Sequence, residues 1–289
     1  MVDMLKKYST AFSLIELSIV ILIIGILVAG VTQSSRLVKS MKLMTARNLT
    51  LSSPVSSIKN LTMWYETTIE KSIDEAERQD GIEVSKWYDI TPTSITKNDA
   101  TQTVLASRPK YTDGMINGLP ALKFDGSADY FDFNGSLLVG TEYTIFIVEQ
   151  RRTNADTWMV GGSSFGLDMC LHIGYYGGVN LRHAQFADTP NDCLNCVAAY
   201  SAPTPRLHTV RLSLVDGRRY YLNSSTPSFQ LPASKQFLVS YNNAFIGRFG
   251  GGYFNGDIGE IIIFTSALKA EELSSIQNYL AKKWGIKIS

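Results

Sequence analysis

The chain is poor in the residue types that most often carry chemistry. It has three histidines and three cysteines in 289 residues. His172, His183 and His208 lack a neighbouring Ser or Cys in any familiar catalytic pattern, so they read as loop or surface residues. The net charge is +1, which removes any bulk electrostatic case for nucleic acid. Cys193-Leu194-Asn195-Cys196 has no second CxxC to complete a structural zinc site. It falls in a stretch rich in Pro, Asn and Asp that reads as a loop, not as the helix start of a thioredoxin-like site. Cys170, Cys193 and Cys196 are therefore disulfide candidates: either a local bond, or one bond to Cys170 with a thiol left over. The glycine run from Gly247 to Gly252 lacks the spacing and the Lys-Ser/Thr of a phosphate loop.

Paired acids are also missing. Glycoside hydrolysis needs two carboxylates about 5–10 Å apart. The strand after Glu260 continues as Ile-Ile-Ile-Phe, with no second acid. Glu142 and Glu149, seven apart, point to opposite faces of a strand. The expectation is a protein that is not an enzyme.

What the chain does have is one long apolar run, from Phe12 to Val31. Twenty helical residues span roughly 30 Å, the thickness of a bilayer's hydrocarbon core. A secretory signal has a shorter apolar region. The run contains one acid, Glu16, and an ionised carboxylate in lipid is costly unless it is partnered. From Thr32 to Ser53 the helix can continue, with Leu37, Met41 and Met44 on one stripe, and Pro54 is a plausible stop. Lys6 and Lys7 favour a cytoplasmic N-terminus, whereas Arg36, Lys39, Lys42 and Arg47 follow the span with no acid between Thr32 and Ser53. These four read as a solvated helix face, or as a surface for phospholipid heads or an acidic neighbour.

Lys6 and Lys7, then Ala11-Phe12-Ser13-Leu14-Ile15-Glu16-Leu17 at the head of that run, resemble the type IV prepilin cleavage and methylation site. The resemblance implies a leader (1–11), cleavage between Ala11 and Phe12 by a prepilin peptidase, N-methylation of Phe12, and a pilin-type helix (12–53) whose 12–31 portion spans the inner membrane. It implies other pilin subunits as partners, in a pilus or a type II secretion pseudopilus. Ala11 stands where the family usually has Gly. Cutting there places a positive amine at a helix tip, and Glu16 of a neighbouring helix could neutralise it, which would set register in a low-dielectric bundle.

Beyond about Ile58, short apolar or alternating runs are broken by Gly, Asn, Asp and Pro. The predicted strands are Leu119–Phe124, Tyr130–Phe133, Tyr143–Glu149, Leu207–Leu214, Arg219–Asn223, Ala244–Phe249 and Glu260–Phe264. Thr144–Val148 and Ile261–Phe264 are apolar throughout, as central strands covered on both faces would be. A closing helix carries Leu273, Ile276, Leu280 and Trp284 on one face, acids at its start, lysines at its end and Gly285 as its cap. The fold class is therefore α+β: a long N-terminal transmembrane α-helix, an antiparallel β-sandwich and a C-terminal helix.

Val84–Asp89, Asn98–Gln102, Asn117–Gly126 and Gly256–Phe264 resemble the opening and ending of bacterial laminin-G-like, concanavalin-A-like jelly-roll domains, over roughly 58–289. That resemblance implies a module that binds glycans or surface proteins at its loops, sometimes with calcium. Asp125, Asp129, Asp132 and Asp257 are the loop carboxylates that would suit such a cation, although turn acids capping backbone amides are commoner. No other cofactor is implied. Trp158 and Tyr175-Tyr176-Gly177-Gly178 could form a sugar-stacking platform or simply pack in the core. The expectation is a minor pilin or pseudopilin that displays a lectin-like domain, periplasmic before assembly and at the cell surface after it. The alternatives are an anchored lectin-like protein outside any filament, or a glycosidase.

Overall fold

The computed structural model describes residues 13–92, 94–178, 180–187, 193–198, 201–232 and 237–289, with backbone alone for residues 194–198. Ala11 and Phe12 lie outside the described residues. The chain divides into two units, the first ending at Lys42 and the second running Leu43–Ser289.

The first unit is helical. Helix α1 (Leu14–Leu51) begins within the apolar run and stops just short of Pro54, which opens a short 3-10 turn, Pro54–Ser57. A proline cannot donate a backbone hydrogen bond, so it suits the first turn of the new element and not the interior of the old one. The apolar stretch of α1 is long enough to cross a membrane, and none of its most apolar window is buried.

The second unit is a β-sandwich closed by a helix. Its strands are β1 (Leu61–Glu66), β2 (Lys86–Trp87), β3 (Ala100–Thr101), β4 (Lys110–Ile116), β5 (Leu119–Asp125), β6 (Phe131–Phe133), β7 (Tyr143–Arg151), β8 (Thr157–Gly162) and β9 (Leu171–Tyr176), followed by β10 (Asn180–Gln185), β11 (Cys193–Ala198), β12 (Arg206–Ser213), β13 (Gly217–Leu222), β14 (Phe229–Leu231), β15 (Ala244–Ile246), β16 (Arg248–Phe249), β17 (Gly252–Tyr253) and β18 (Asn255–Phe264). Sheet one has the order β14-β13-β12-β7-β18-β5-β4. Sheet two has the order β11-β10-β9-β8-β15-β6-β3-β2. The long β18 pairs with β7 along one edge; on its other edge it pairs with β5 through its first half and with β1 through its second. All of these pairings are antiparallel.

Sheet one is covered on both faces, and the strand period of two sorts its side chains. Ile145 and Ile147 of β7, with Ile261 and Ile263 of β18, face the core between the sheets. Phe146, Val148, Ile262 and Phe264 face the opposite way, into a second core shared with helix α2 (Ala270–Trp284). This is why those two segments are apolar at every position. Leu273, Ile276, Leu280 and Trp284 are the buried face of α2, and each fully buried large side chain contributes about 1.5–3 kcal/mol. Glu272 accepts the Lys269 N–H at 3.0 Å at the helix start. Gly285 ends the helix at φ 63°, the left-handed conformation that a side chain disfavours. Ala46 and Thr50, in the last turns of α1, belong to this same second unit and are buried.

Several expectations need correction. The segment read as one strand over Ala244–Phe249 breaks at Gly247 (φ 87°), and its second half forms a separate ribbon with β17. Cys193 and Cys196 lie on β11, not in a loop. The three histidines are neither in loops nor on the surface: His172, His183 and His208 sit on β9, β10 and β12 and are 5 %, 0 % and 0 % exposed. The strands that carry them alternate polar with apolar residues in a core that accepts both. Sequence patterning cannot distinguish that arrangement from a solvent-facing strand.

Candidate functional site

Two regions are candidates for function, one in each unit. In the first, Ser13 and Glu16 form a reciprocal cap at the start of α1. Glu16 Oε2 accepts the Ser13 N–H at 2.9 Å, and Ser13 Oγ accepts the Ile15 N–H at 3.3 Å. The first amides of a helix have no partner within it, so a Ser followed three residues later by Glu satisfies two of them. Glu16 therefore has a local role within its own helix as well as the intersubunit role expected of it. Basic side chains follow along α1, and Arg47 is more than a solvated face: within the second unit it donates to the Thr68 carbonyl at 2.8 Å and pairs with Glu70 at 2.9 Å.

In the second unit the loop acids are already engaged. Asp125 Oδ1 accepts the N–H groups of Ser127, Ala128 and Asp129, and its other oxygen takes the Ser127 hydroxyl. Burial pushes its carboxyl up, but these hydrogen bonds outweigh burial and hold it at about 2. Asp129 accepts the Asp125 N–H at 3.0 Å and is pushed to about 7 by burial and by the Asp125 charge. Asp257 is buried against Arg152 and sits at about 6, because burial exceeds the opposing pull of that guanidinium. Asp132 is exposed on β6, its carboxyl raised by partial desolvation against the pull of Arg248. Among the described residues, no group of three or more His, Cys, Asp or Glu could hold a metal ion. Cys193 is disulfide-bonded, Cys170 is a free buried thiol, and the Cys196 side chain lies outside the described residues.

Between the sheets lies a polar cluster that sequence reasoning missed. Glu149 shares the inward face of β7 with Ile145 and Ile147. Its Oε1 accepts the Tyr175 hydroxyl at 2.5 Å and His208 Nε2 at 2.8 Å, with Arg206 at 3.5 Å. All four side chains are fully buried. Burial raises the Glu149 carboxyl, but His208, Arg206 and Tyr175 together outweigh burial and hold it below the ordinary carboxylate range. Burial lowers His208 despite Glu149, so the imidazole is neutral and donates through Nε2 while its Nδ1 faces Tyr220 OH at 2.7 Å. The charge on Glu149 is thus balanced by arginine. The cluster is closed to solvent and ties sheet one to sheet two.

The outer face of sheet two is different. Alternation sends Tyr175 inward to Glu149, while His172, Gly174 and Tyr176 of β9 face outward. Trp158 of β8 lies over Gly174, where a Cβ would come within 2.8 Å of its ring, so only glycine lets the indole lie on the sheet. The β16–β17 ribbon adds Phe249, which stacks on His172 at 4.6 Å and meets Trp158 at 4.8 Å. Phe165, 55 % exposed, extends the patch against Phe186 and Phe249 at 5.2 and 5.8 Å. Tyr176, 44 % exposed, lies 6.5 Å from Trp158 and carries the Arg182 guanidinium 3.7 Å above its ring. Burial, with the charges of Arg182 and Arg218, lowers His172 to about 3, so it is neutral. Of the aromatic residues singled out in the sequence, Trp158 and Tyr176 therefore share this face, and Tyr175 belongs to the core.

Comparison with known proteins bears on each region separately. Residues 6–32 match the family described as the prokaryotic N-terminal methylation motif. The chain carries a type IV prepilin-type motif, which implies processing by a prepilin peptidase and assembly with other pilin subunits. No curated protein matches the chain. Among solved structures, it is similar to the binding domain of Paraclostridial Mosquitocidal Protein 1, with TM-score 0.55 and 13 % identity over 78 % of this chain and 55 % of that one. It is also similar to Trypanosoma rangeli sialidase, with TM-score 0.53 and 11 % identity over 84 % of this chain. The match spans 38 % of the length of the sialidase. At such identities the likeness is one of fold, a β-sandwich.

Proposed function

We propose that the chain is a type IV pilin-like filament subunit, made at the inner membrane, that carries its β-sandwich outward as a binding module and not as an enzyme. The observation that carries this reading is the prepilin-type motif at the head of an apolar helix none of whose most apolar window is buried. Such a surface calls for lipid or other helices to cover it. The bulk of the second unit suits a minor or tip subunit. Cleavage before Phe12 leaves the helix inserted with the sandwich on the periplasmic side, and assembly then moves it into the filament. Glycan binding is supported by the aromatic outer face of sheet two. A binding and not a catalytic role is supported by the buried glutamates Glu66, Glu149 and Glu260, each of which is hydrogen-bonded within the domain.

Mass spectrometry of the mature N-terminus tests the filament reading. N-methylated Phe12 is expected, and an intact Met1 in the mature protein overturns it. A glycan array probed with the full-length chain in detergent micelles, with and without chelator, tests the binding reading and its calcium dependence. Absence of binding to every glycan would leave a surface protein as the ligand class.

A further inference from the structure

The outer face of sheet two has a charge as well as a shape. Arg182 sits on β10 with its guanidinium 3.7 Å over the exposed Tyr176 ring. Its Nε is buried with no hydrogen-bond partner among the described residues. A guanidinium normally seeks a carboxylate or carbonyl, yet the contact found for Arg182 is with an aromatic ring. His172, behind the same patch and 5 % exposed, has its Nδ1 buried and unpartnered among the described residues. It is neutral and cannot compete for an anion. Among the described residues, two acids lie around this face. Asp156, at the rim, accepts the Gly178 N–H at 3.1 Å. Asp132 is on β6, four strands from β10 in the sheet order, about 19 Å away at ordinary strand spacing. The Tyr176–Arg182 end of the platform is therefore cationic, half-covered and flanked by flat aromatic surface.

We propose that this end of the platform binds an acidic glycan, with a sugar ring against Tyr176 and Phe249 and its carboxylate taken by Arg182. This rests on the glycan-binding reading above and narrows it to a ligand class. The chemistry on each side is complementary. The apolar C–H face of a pyranose suits the flat, partly exposed rings. A planar carboxylate matches the two-pronged donor geometry of a guanidinium. Arg182 is pre-positioned by its stacking on Tyr176, so less side-chain freedom is lost on binding. Tyr176 would supply affinity for any sugar presented there, whereas Arg182 would discriminate in favour of the charged one.

The test compares oligogalacturonate with a neutral galactan oligomer of equal length, using the full-length chain in detergent micelles. Wild type should prefer the acidic oligomer by at least tenfold. Arg182→Gln should abolish that preference while leaving neutral-glycan affinity within twofold, and Arg182→Lys should restore only part of it. Tyr176→Ala should weaken both ligands. An unchanged thermal transition in each variant confirms that the sheet is intact, and Arg182→Lys keeps the test open if Arg182→Gln does not fold. Equal affinity for the two oligomers, or an acidic preference that survives Arg182→Gln, overturns the assignment while leaving glycan binding itself in place. Binding of duplex DNA as tightly as oligogalacturonate also overturns it, since the face would then be a general polyanion surface. Failure to bind either oligomer or any other glycan overturns the broader reading.

Discussion

Glu66 and Glu260 are cross-strand partners in the register of β1 and β18, and a single ammonium, that of Lys283, lies between their carboxylates at 2.7 and 2.8 Å. All three side chains are buried. The remaining oxygen sites are filled by hydrogen bonds. Glu66 takes the N–H and hydroxyl of Thr68, the Ile69 N–H and the Ser72 hydroxyl. Glu260 takes both indole N–H groups, of Trp64 and Trp284, and the Tyr279 hydroxyl, each at 2.8 Å. Tyr279 also lies 3.3 Å from the Thr50 hydroxyl. The cluster thereby holds β1, β18, α2 and the last turn of α1 together within the second unit.

Removing the shared cation should be severe. Lys283→Met leaves two carboxylates buried side by side, and breaking a buried ion pair from one side costs about 3–5 kcal/mol. Denaturant unfolding followed by tryptophan fluorescence reads this directly, because Trp64 and Trp284 both touch the site. A loss below about 1 kcal/mol would show that the triad is not structural.

The pH range of that stabilisation follows from the shifts. Burial raises Glu66, but Lys283 and the hydrogen bonds from Thr68 and Ser72 together outweigh burial and hold its carboxyl below the ordinary 4.5. Its contribution is present above the unfolded value and is lost as pH falls through the folded one. Burial lowers Lys283, but Glu260 and Glu66 outweigh burial and hold it above 10.5. Its contribution is present below the unfolded value and is lost as pH rises through the folded one. In Lys283→Met, burial and mutual repulsion raise both carboxyls, so the stability difference from wild type should be smallest on the acid side and grow as pH rises towards neutrality. Urea titrations at pH 3.5, 6 and 9 check it, and a difference that peaks at pH 3.5 contradicts the argument.

Asp129 should behave in the opposite sense. Its carboxyl is at about 7 in the fold, against 3.8 ordinarily, so ionising it opposes folding and stability is lost as pH rises between those values. Asp129→Asn keeps an oxygen to accept the Asp125 N–H and removes the charge. It should stabilise the domain by about 2 kcal/mol at pH 8 and have little effect near pH 4. Thermal unfolding at the two pH values measures this; equal effects at both would refute it.

The observed cap and the proposed intersubunit ion pair of Glu16 are not separated by one substitution. Glu16→Ala removes both the cap on Ser13 and the carboxylate offered to a neighbouring subunit, so membrane insertion should survive while filament incorporation falls. Glu16→Gln keeps an acceptor for the Ser13 N–H and loses the charge. If the intersubunit ion pair sets register, the glutamine variant should incorporate as poorly as the alanine one. Quantitative immunoblotting of sheared filaments reports this, and wild-type incorporation of Glu16→Gln would leave capping as the function of this residue.

The Cys170 thiol is buried, and burial pushes it up to about 12. A thiol held protonated and shielded reacts slowly. Peptide mapping after iodoacetamide should find Cys170 unmodified in the native chain and alkylated only after unfolding. Rapid native labelling would indicate that the β8–β9 end of the sandwich opens.

Much of the architecture follows from local sequence. The membrane-length run, the Ser13–Glu16 cap, the stop at Pro54, the Gly285 terminus and the two all-apolar strands each rest on residues a few positions apart, and helix and strand periods act over that range. The second sheet was less legible. Its strands β8–β11 carry glycine, histidine and arginine, so their pattern does not separate core from surface.

What only the tertiary structure decided were the partnerships of polar residues far apart in the chain. Glu66 and Lys283 are 217 residues apart, and Tyr175 and Tyr176 are adjacent yet face opposite ways. A buried charge is tolerable only when a specific partner arrives from elsewhere in the fold. The sequence by itself determined the long N-terminal helix, the closing helix and most strands of the first sheet, whose patterns are local. The packing of the two sheets and α2 decided which acids and histidines are sealed inside, and left Tyr176 and Arg182 facing out.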